Sequence, residues 1–174
     1  MEVSKIVMKA YELAKQAQKN AYAPYSHFEV GAAIKIKDCD EIITGCNLEN
    51  ASYGATVCAE RGAIQSSMVK LGRVEFEFLV VVSNTSPAIG PCALCLQVLS
   101  EFAKPDLPIY FANQKEIQSK NYFGDLLPKP FAEIPRQVRS GAGFRDRDDG
   151  ICAIFRAKLG QGNDVVRRHA RSYD

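Results

Sequence analysis

FEFLVVVSN, residues 76–84, is the stretch on which the fold turns. It is short and almost uniformly apolar, so it reads as a strand buried on both faces and as the centre of a sheet. Helical patterns flank it on both sides. VCAERGAIQSSMVKLG (57–72) precedes it and closes on Gly72 as a C-cap. The linker SPAIGP leads out of it to a helix over roughly 92–103, with Pro91 where a first-turn proline is tolerated. Further out, FEVGAAIKIK (28–37) and EIITGCNLE (41–49) are rich in β-branched residues and joined by the turn-like DCD, which predicts an antiparallel hairpin. LPIYFAN (107–113) reads as another strand and EIQSKNYF (116–123) as the last. At the other end, Val3, Ile6, Val7, Ala10, Leu13, Ala14 and Ala17 repeat at three and four, one face of a helix that ends before Pro24.

The 174 residues are 47% hydrophobic and 24% charged, enough for one core, and the length suits one domain. A net charge of +2 is too small to argue by itself for a nucleic-acid partner, and a small, weakly charged ligand fits as well. MEVSKIVMKAYELAKQAQK lacks the continuous apolar core of a signal peptide, and no run approaches the roughly 18 apolar residues of a membrane span. A cytoplasmic protein without membrane contact is expected. In that compartment cysteine spacing means metal or catalysis more often than disulfides. Beyond Phe131 the texture changes. Residues 132–174 hold nine Lys and Arg against six Asp and Glu, with one strand-like island at ICAIFRAKL. The expected organisation is a domain over 1–131 and a polar, solvated extension over 132–174.

Of six cysteines, at 39, 46, 58, 92, 95 and 152, only the middle three have suggestive spacing. In PCALC, Cys92 and Cys95 at a helix start can point both sulfurs at one ion, and Cys58, at the start of the preceding helix, is the natural third ligand. Zinc prefers four ligands in a tetrahedron, so three protein ligands leave one position for water, the mark of a catalytic site. Exposed amides and helix dipoles at two helix N-termini stabilise thiolates. Glu60, two residues past Cys58, is placed to shuttle protons without ligating the metal. Other readings stand beside this one. The CxxC could be a redox pair, a structural zinc site could recruit a fourth protein ligand, and Glu60 and Arg61 could form an ordinary solvated helix face.

TVCAERGAI (56–64) with GPCALCLQVLSEF (90–102) resembles the paired zinc motifs, C-A-E followed by P-C-x-x-C, of the cytidine deaminase family. AYAPYSHFEVGAAI and GCNLENASYG are similar to its two upstream blocks, and LLPKPF to its C-terminal block; together they cover most of residues 1–131. The resemblance implies an α/β fold, three α-β-α layers around a mixed five-stranded sheet. It implies one zinc ion per subunit on Cys58, Cys92 and Cys95, with Glu60 moving protons between zinc-water, ring N3 and the departing amine. Asn47 and Glu49 would hydrogen-bond the ribose hydroxyls, Phe28 would lie against the pyrimidine, and the backbone at Ala59 would read the base edge. In the tetrameric branch, Tyr53 and Phe131 would help build a pocket shared between subunits of a homotetramer.

Three thiolates leave a zinc site formally at −1, and Arg61 is the obvious group to offset that charge. Gln97 is expected to orient Arg61. The chain departs from the family pattern at Ala93 and Leu96, where Gly and Arg are usual. Leu96 can neither hydrogen-bond a thiolate nor offset charge, so a more electron-rich zinc and a shifted pH optimum are expected. The implied reaction is hydrolytic deamination of cytidine and deoxycytidine in pyrimidine salvage. A carboxylate at the sugar, Glu49, suits free hydroxyls and repels phosphate, which favours nucleosides over nucleotides. Two alternatives remain: another aminopyrimidine such as a blasticidin-type antibiotic, and a nucleic-acid-binding or editing protein using the arginine-rich extension on phosphates.

Overall fold

The computed structural model describes residues 3–132, so all of the expected extension beyond its first residue lies outside the described residues. The elements run α1 (Lys5–Gln18), β1 (Val30–Ile36), β2 (Ile42–Cys46), a 3-10 turn at Tyr53–Ala55, α2 (Ala59–Leu71), β3 (Phe76–Ser83), α3 (Ala93–Leu99), β4 (Pro108–Ala112), β5 (Ile117–Tyr122) and α4 (Phe123–Leu126). The sheet has the order β2-β1-β3-β4-β5. All pairings are antiparallel except β3 with β4, so the sheet is mixed, as expected.

β3 is the central strand. Every residue of it is buried except Glu77, which pairs at 3.3 Å with Lys35 on the neighbouring strand. Its side chains divide by the two-residue period. Phe78, Val80 and Val82 pack with Ala33 and with Val7, Ala10, Tyr11 and Ala14 of α1. Leu79 and Val81 pack on the opposite face with Ala32, Ile34, Ala59, Ala63, Ile64, Leu96 and Leu99, the inner faces of α2 and α3. One helix therefore covers one face and two cover the other, a three-layer arrangement. Burying a Val or Leu of this kind contributes about 1.5–3 kcal/mol, so β3 holds the layers together.

Two glycines set how closely the helices approach. A Cβ on Gly31 of β1 would lie 2.0 Å from the Ala14 carbonyl of α1, and one on Gly45 of β2 would lie 2.4 Å from the Ala63 amide of α2. The second contact draws the start of α2 against the sheet edge, where the chemistry sits. Gly72 ends α2 with φ 74°, its N–H bonding the Met68 carbonyl at 3.0 Å.

α3 is shorter than the expected 92–103. Ser100 donates its hydroxyl to the Gln97 carbonyl at 2.7 Å, which takes one of the terminal acceptors, and the chain continues in turns toward Pro105. The last strand is also shorter, because Phe123 opens α4. Among the described residues no helix is long and apolar enough to cross a membrane.

Candidate metal centre and substrate cleft

Cys58 is the N-cap residue of α2 and Cys92 that of α3, with Cys95 one turn further on. The register of the two helices brings the three sulfurs together. Cys58 Sγ and Cys92 Sγ are 3.9 Å apart, Cys92 Sγ and Cys95 Sγ 3.5 Å, and all three lie within 4.8 Å of one another. Tetrahedral zinc with bonds of about 2.3 Å requires sulfurs about 3.8 Å apart, so the triangle fits zinc. Cys58 Sγ stands as close to Cys92 Sγ as a third ligand must, an arrangement that suits a metal centre better than a two-cysteine redox pair.

The cluster polarises its own thiols. A hydrogen bond from Cys95 first, then the Arg61 guanidinium and Cys92, bring the Cys58 thiol down to about 5 against burial. The same hydrogen bond and burial push Cys95 up. The Cys58 sulfur is thus ready as a thiolate, and Cys95 would give up its proton when a cation takes its place.

Glu60 is 4% exposed, on the first turn of α2. Burial, then the neighbouring Cys58 charge, raise its carboxyl to about 7, where it can exchange a proton at neutral pH. Ala59 is fully buried between Cys58 and Glu60. Arg61 Nη2 donates to the Thr56 carbonyl at 2.6 Å and lies 4.0 Å from Cys58 Sγ, while its buried Nε has no partner. The guanidinium therefore sits where it can offset sulfur charge.

Gln97 does not orient Arg61. Its side chain bonds Ser100 and the main chain of Phe131, which corrects that expectation: the residue lies two positions past Cys95, about 200° round the helix. Leu96, 6% exposed, belongs to the core cluster that includes Ala59 and Leu99, and it brings neither donor nor charge to the sulfurs. Ala93 needs no glycine conformation, since the positive-φ positions among the described residues are His27, Asp38 and Gly72.

The second half of the site is the segment 47–53 against the loop 22–28. Buried Asn47 ties the loop to β1: its Nδ2 donates to the Phe28 carbonyl at 2.8 Å and its Oδ1 accepts from the Val30 N–H at 2.9 Å. Each of those groups keeps a further hydrogen-bonding position. Glu49 accepts from the N–H groups of Tyr25 (3.0 Å) and Ser26 (3.2 Å) and from the Ser26 hydroxyl. The Ser26 hydroxyl first, and the two N–H groups, hold its carboxyl below the ordinary 4.5. Phe28 is half-buried against the core, and Tyr53 and Phe131 are each 67% exposed. Tyr53 meets Tyr25 edge-on at 6.0 Å.

Sequence reasoning passed over Ser26 and Asn84. Ser26 also accepts from the Phe28 N–H two residues on, a turn that the run PYSHF hinted at. Asn84 donates to the carbonyl of His27, whose φ is 56°, across 57 residues, and no local signal could have shown that.

Residues 4–111 match the family model described as the cytidine and deoxycytidylate deaminase zinc-binding region. A cytidine deaminase of Halalkalibacterium halodurans is 43% identical over 119 residues, covering 68% of this chain and 88% of that protein. One of Sporosarcina psychrophila is 38% identical over 133 residues, 76% of this chain and 93% of that protein. The crystal structure of cytidine deaminase from Burkholderia pseudomallei superposes with a TM-score of 0.68 at 40% identity, covering 74% of this chain and all of the other.

Proposed function

We propose how a chain that belongs to the cytidine and deoxycytidylate deaminase family, and that deaminates cytidine, divides the hydrolysis among its own side chains. The observation that carries the proposal is the triangle of three sulfurs with a buried carboxyl two residues from one of them. Cys58, Cys92 and Cys95 hold the zinc, which when bound supplies a Lewis acid and an acidified water.

Glu60 takes the proton from the attacking water and passes it to ring N3 as C4 accepts the oxygen. It then takes the proton of the new C4 hydroxyl and delivers it to the exocyclic amine, which leaves as ammonia as the C4–N bond breaks and the C4 carbonyl forms; water is consumed and uridine remains. Being buried, the carboxyl works without competing solvent, and its value near 7 suits both transfers. Arg61 offsets the charge of the thiolates.

Asn47 and Glu49 bind the sugar hydroxyls with the hydrogen-bonding capacity left after they have fixed the loop, Phe28 lies on the pyrimidine, and the Ala59 backbone reads the base edge. The carboxylate at the sugar favours free nucleosides, deoxycytidine included, and with them a role in pyrimidine salvage. A cysteine spacing that suits a metal rather than disulfides fits a cytoplasmic setting. Tyr53 and Phe131 complete the pocket in a homotetramer. Their exposure supports that reading, as does an open groove of about 660 Å³ along β2 and α2 that includes Leu48, Val57 and Val69. Sedimentation at working concentration tests the assembly, and a monomer with full activity would refute it.

The decisive experiment follows the loss of cytidine absorbance with purified protein beside a Glu60→Gln variant of matched zinc content. Turnover by the wild type alone supports the assignment. Equal turnover by the variant removes Glu60 from the mechanism.

A further inference from the structure

The Gln97 side chain reaches the segment that ends at Phe131. Its Nε2 donates to the Phe131 carbonyl at 2.8 Å and its Oε1 accepts from the Phe131 N–H at 3.0 Å. Nε2 also lies 3.2 Å from Ser100 Oγ, which in turn donates to the Gln97 carbonyl at 2.7 Å. The orientation of the amide is thereby fixed, because turning it over would set donor against donor and acceptor against acceptor. One side chain thus pairs with both polar groups of a single residue, as a neighbouring strand would.

The segment it holds has little slack. Leu126 and Leu127 pack against the core, and Pro128 and Pro130 fix two of the backbone angles before Phe131. The segment is therefore anchored in the core at one end and on α3 at the other. The main chain of Phe131 is fixed while its ring stays 67% exposed. A fixed backbone sets the position and direction of the Cα–Cβ bond, which limits the exposed ring to a few staggered positions.

We infer that Gln97 is a positioning residue of the nucleoside pocket: by clamping the Phe131 main chain to α3, the helix that carries Cys95, it aims the Phe131 ring and sets nucleoside affinity. The inference rests on Phe131 being a pocket residue, as proposed above, and goes beyond it in naming what holds that ring in place.

The test compares KM and kcat for cytidine, with zinc content, in wild type, Gln97→Ala, Phe131→Ala and the double variant. Loss of the two partly exposed hydrogen bonds is expected to raise KM for Gln97→Ala about three- to tenfold, with kcat changed less. Phe131→Ala raises KM at least as much, and the double variant matches Phe131→Ala alone, because the clamp acts only through the ring. Gln97→Glu supplies a readout that a purely structural role would not move. Ionised, the carboxylate can accept from the Phe131 N–H but cannot donate to the carbonyl; protonated, it can do both. Its KM defect relative to wild type therefore shrinks as pH is lowered.

An unchanged KM in Gln97→Ala beside a raised KM in Phe131→Ala overturns the clamp and leaves the pocket reading standing. Additive effects in the double variant also overturn it. An unchanged KM in Phe131→Ala overturns the pocket reading and the clamp with it. Should Gln97→Ala fold poorly or lose zinc, the Gln97→Glu series decides, and a defect independent of pH overturns the inference.

Discussion

The sulfur edge of the site and the edge proposed to take the sugar are built on opposite plans. At the sulfur edge the working groups sit on the first turns of two helices packed against the central strand, and Ala59, Glu60 and Cys95 are buried. At the sugar edge Glu49 and Asn47 are buried, but the loop they hold carries exposed Tyr25, and the rings of Tyr53 and Phe131 stand in solvent. Groups that move protons need a dry, fixed setting in which a carboxyl can be raised to about 7. The groups proposed to admit and release a nucleoside are carried on loops and segments held by side-chain hydrogen bonds. On that assignment chemistry is built into the core, and binding is added at its rim.

Breaking the sulfur edge has the largest effect. Glu60→Gln keeps the shape and removes the proton carrier, so kcat falls about a thousandfold or more while KM changes little, as steady-state kinetics at matched zinc content would register. A stable variant with wild-type kcat would dissolve the contrast between the two edges.

Next comes Leu96→Arg, which puts a guanidinium into the cluster that holds Ala59 and Leu99. The expected loss is about 3 kcal/mol in denaturant unfolding, because a buried charge without a partner is expensive. A variant that folds normally and shifts the pH profile would instead place residue 96 in the electrostatics of the sulfurs.

Asn47→Ala probes where the two plans meet. It strands the Val30 N–H and the Phe28 carbonyl, costs about 1–3 kcal/mol in stability, and raises KM for cytidine more than it lowers kcat. If stability falls and KM does not, Asn47 serves the fold alone.

The smallest effect is the sharpest in pH. The folded value of Glu49 lies below the ordinary 4.5, so its bonds contribute stability that is fully present above about pH 4.5 and is lost as pH falls through the depressed folded value. Amide exchange across residues 22–28 should therefore accelerate in acid before that of β3. Ser26→Ala removes the largest cause of the depression and moves this opening to higher pH, with a KM rise of a few-fold at most. An opening pH unchanged by Ser26→Ala would show that another group controls the loop.

The elements that could be read in advance are those with a local cause. A short run of valines between turn signals favours an inner strand, a glycine after a helical pattern favours a helix end, and cysteines at the N-caps of two such helices can converge once both helices pack on one strand. The short α3 was harder to foresee, because a single Ser100 hydroxyl took over a helix carbonyl.

By itself, then, the sequence determined the inner strand, the hairpin, the three candidate ligands and the acid beside them, since each rests on periodicity or on spacing within a few residues; that the acid is buried came from the structure. Only the tertiary structure decided that Gln97 bonds Phe131 across 34 residues, that Leu96 belongs to the core, and that Asn47 and Ser26 frame the loop 22–28. The physical reason is the reach of the interactions. Hydrophobic patterning and capping act within a turn or a strand and leave a mark in the chain, whereas a hydrogen bond between distant residues depends on how the layers stack, which no short stretch records.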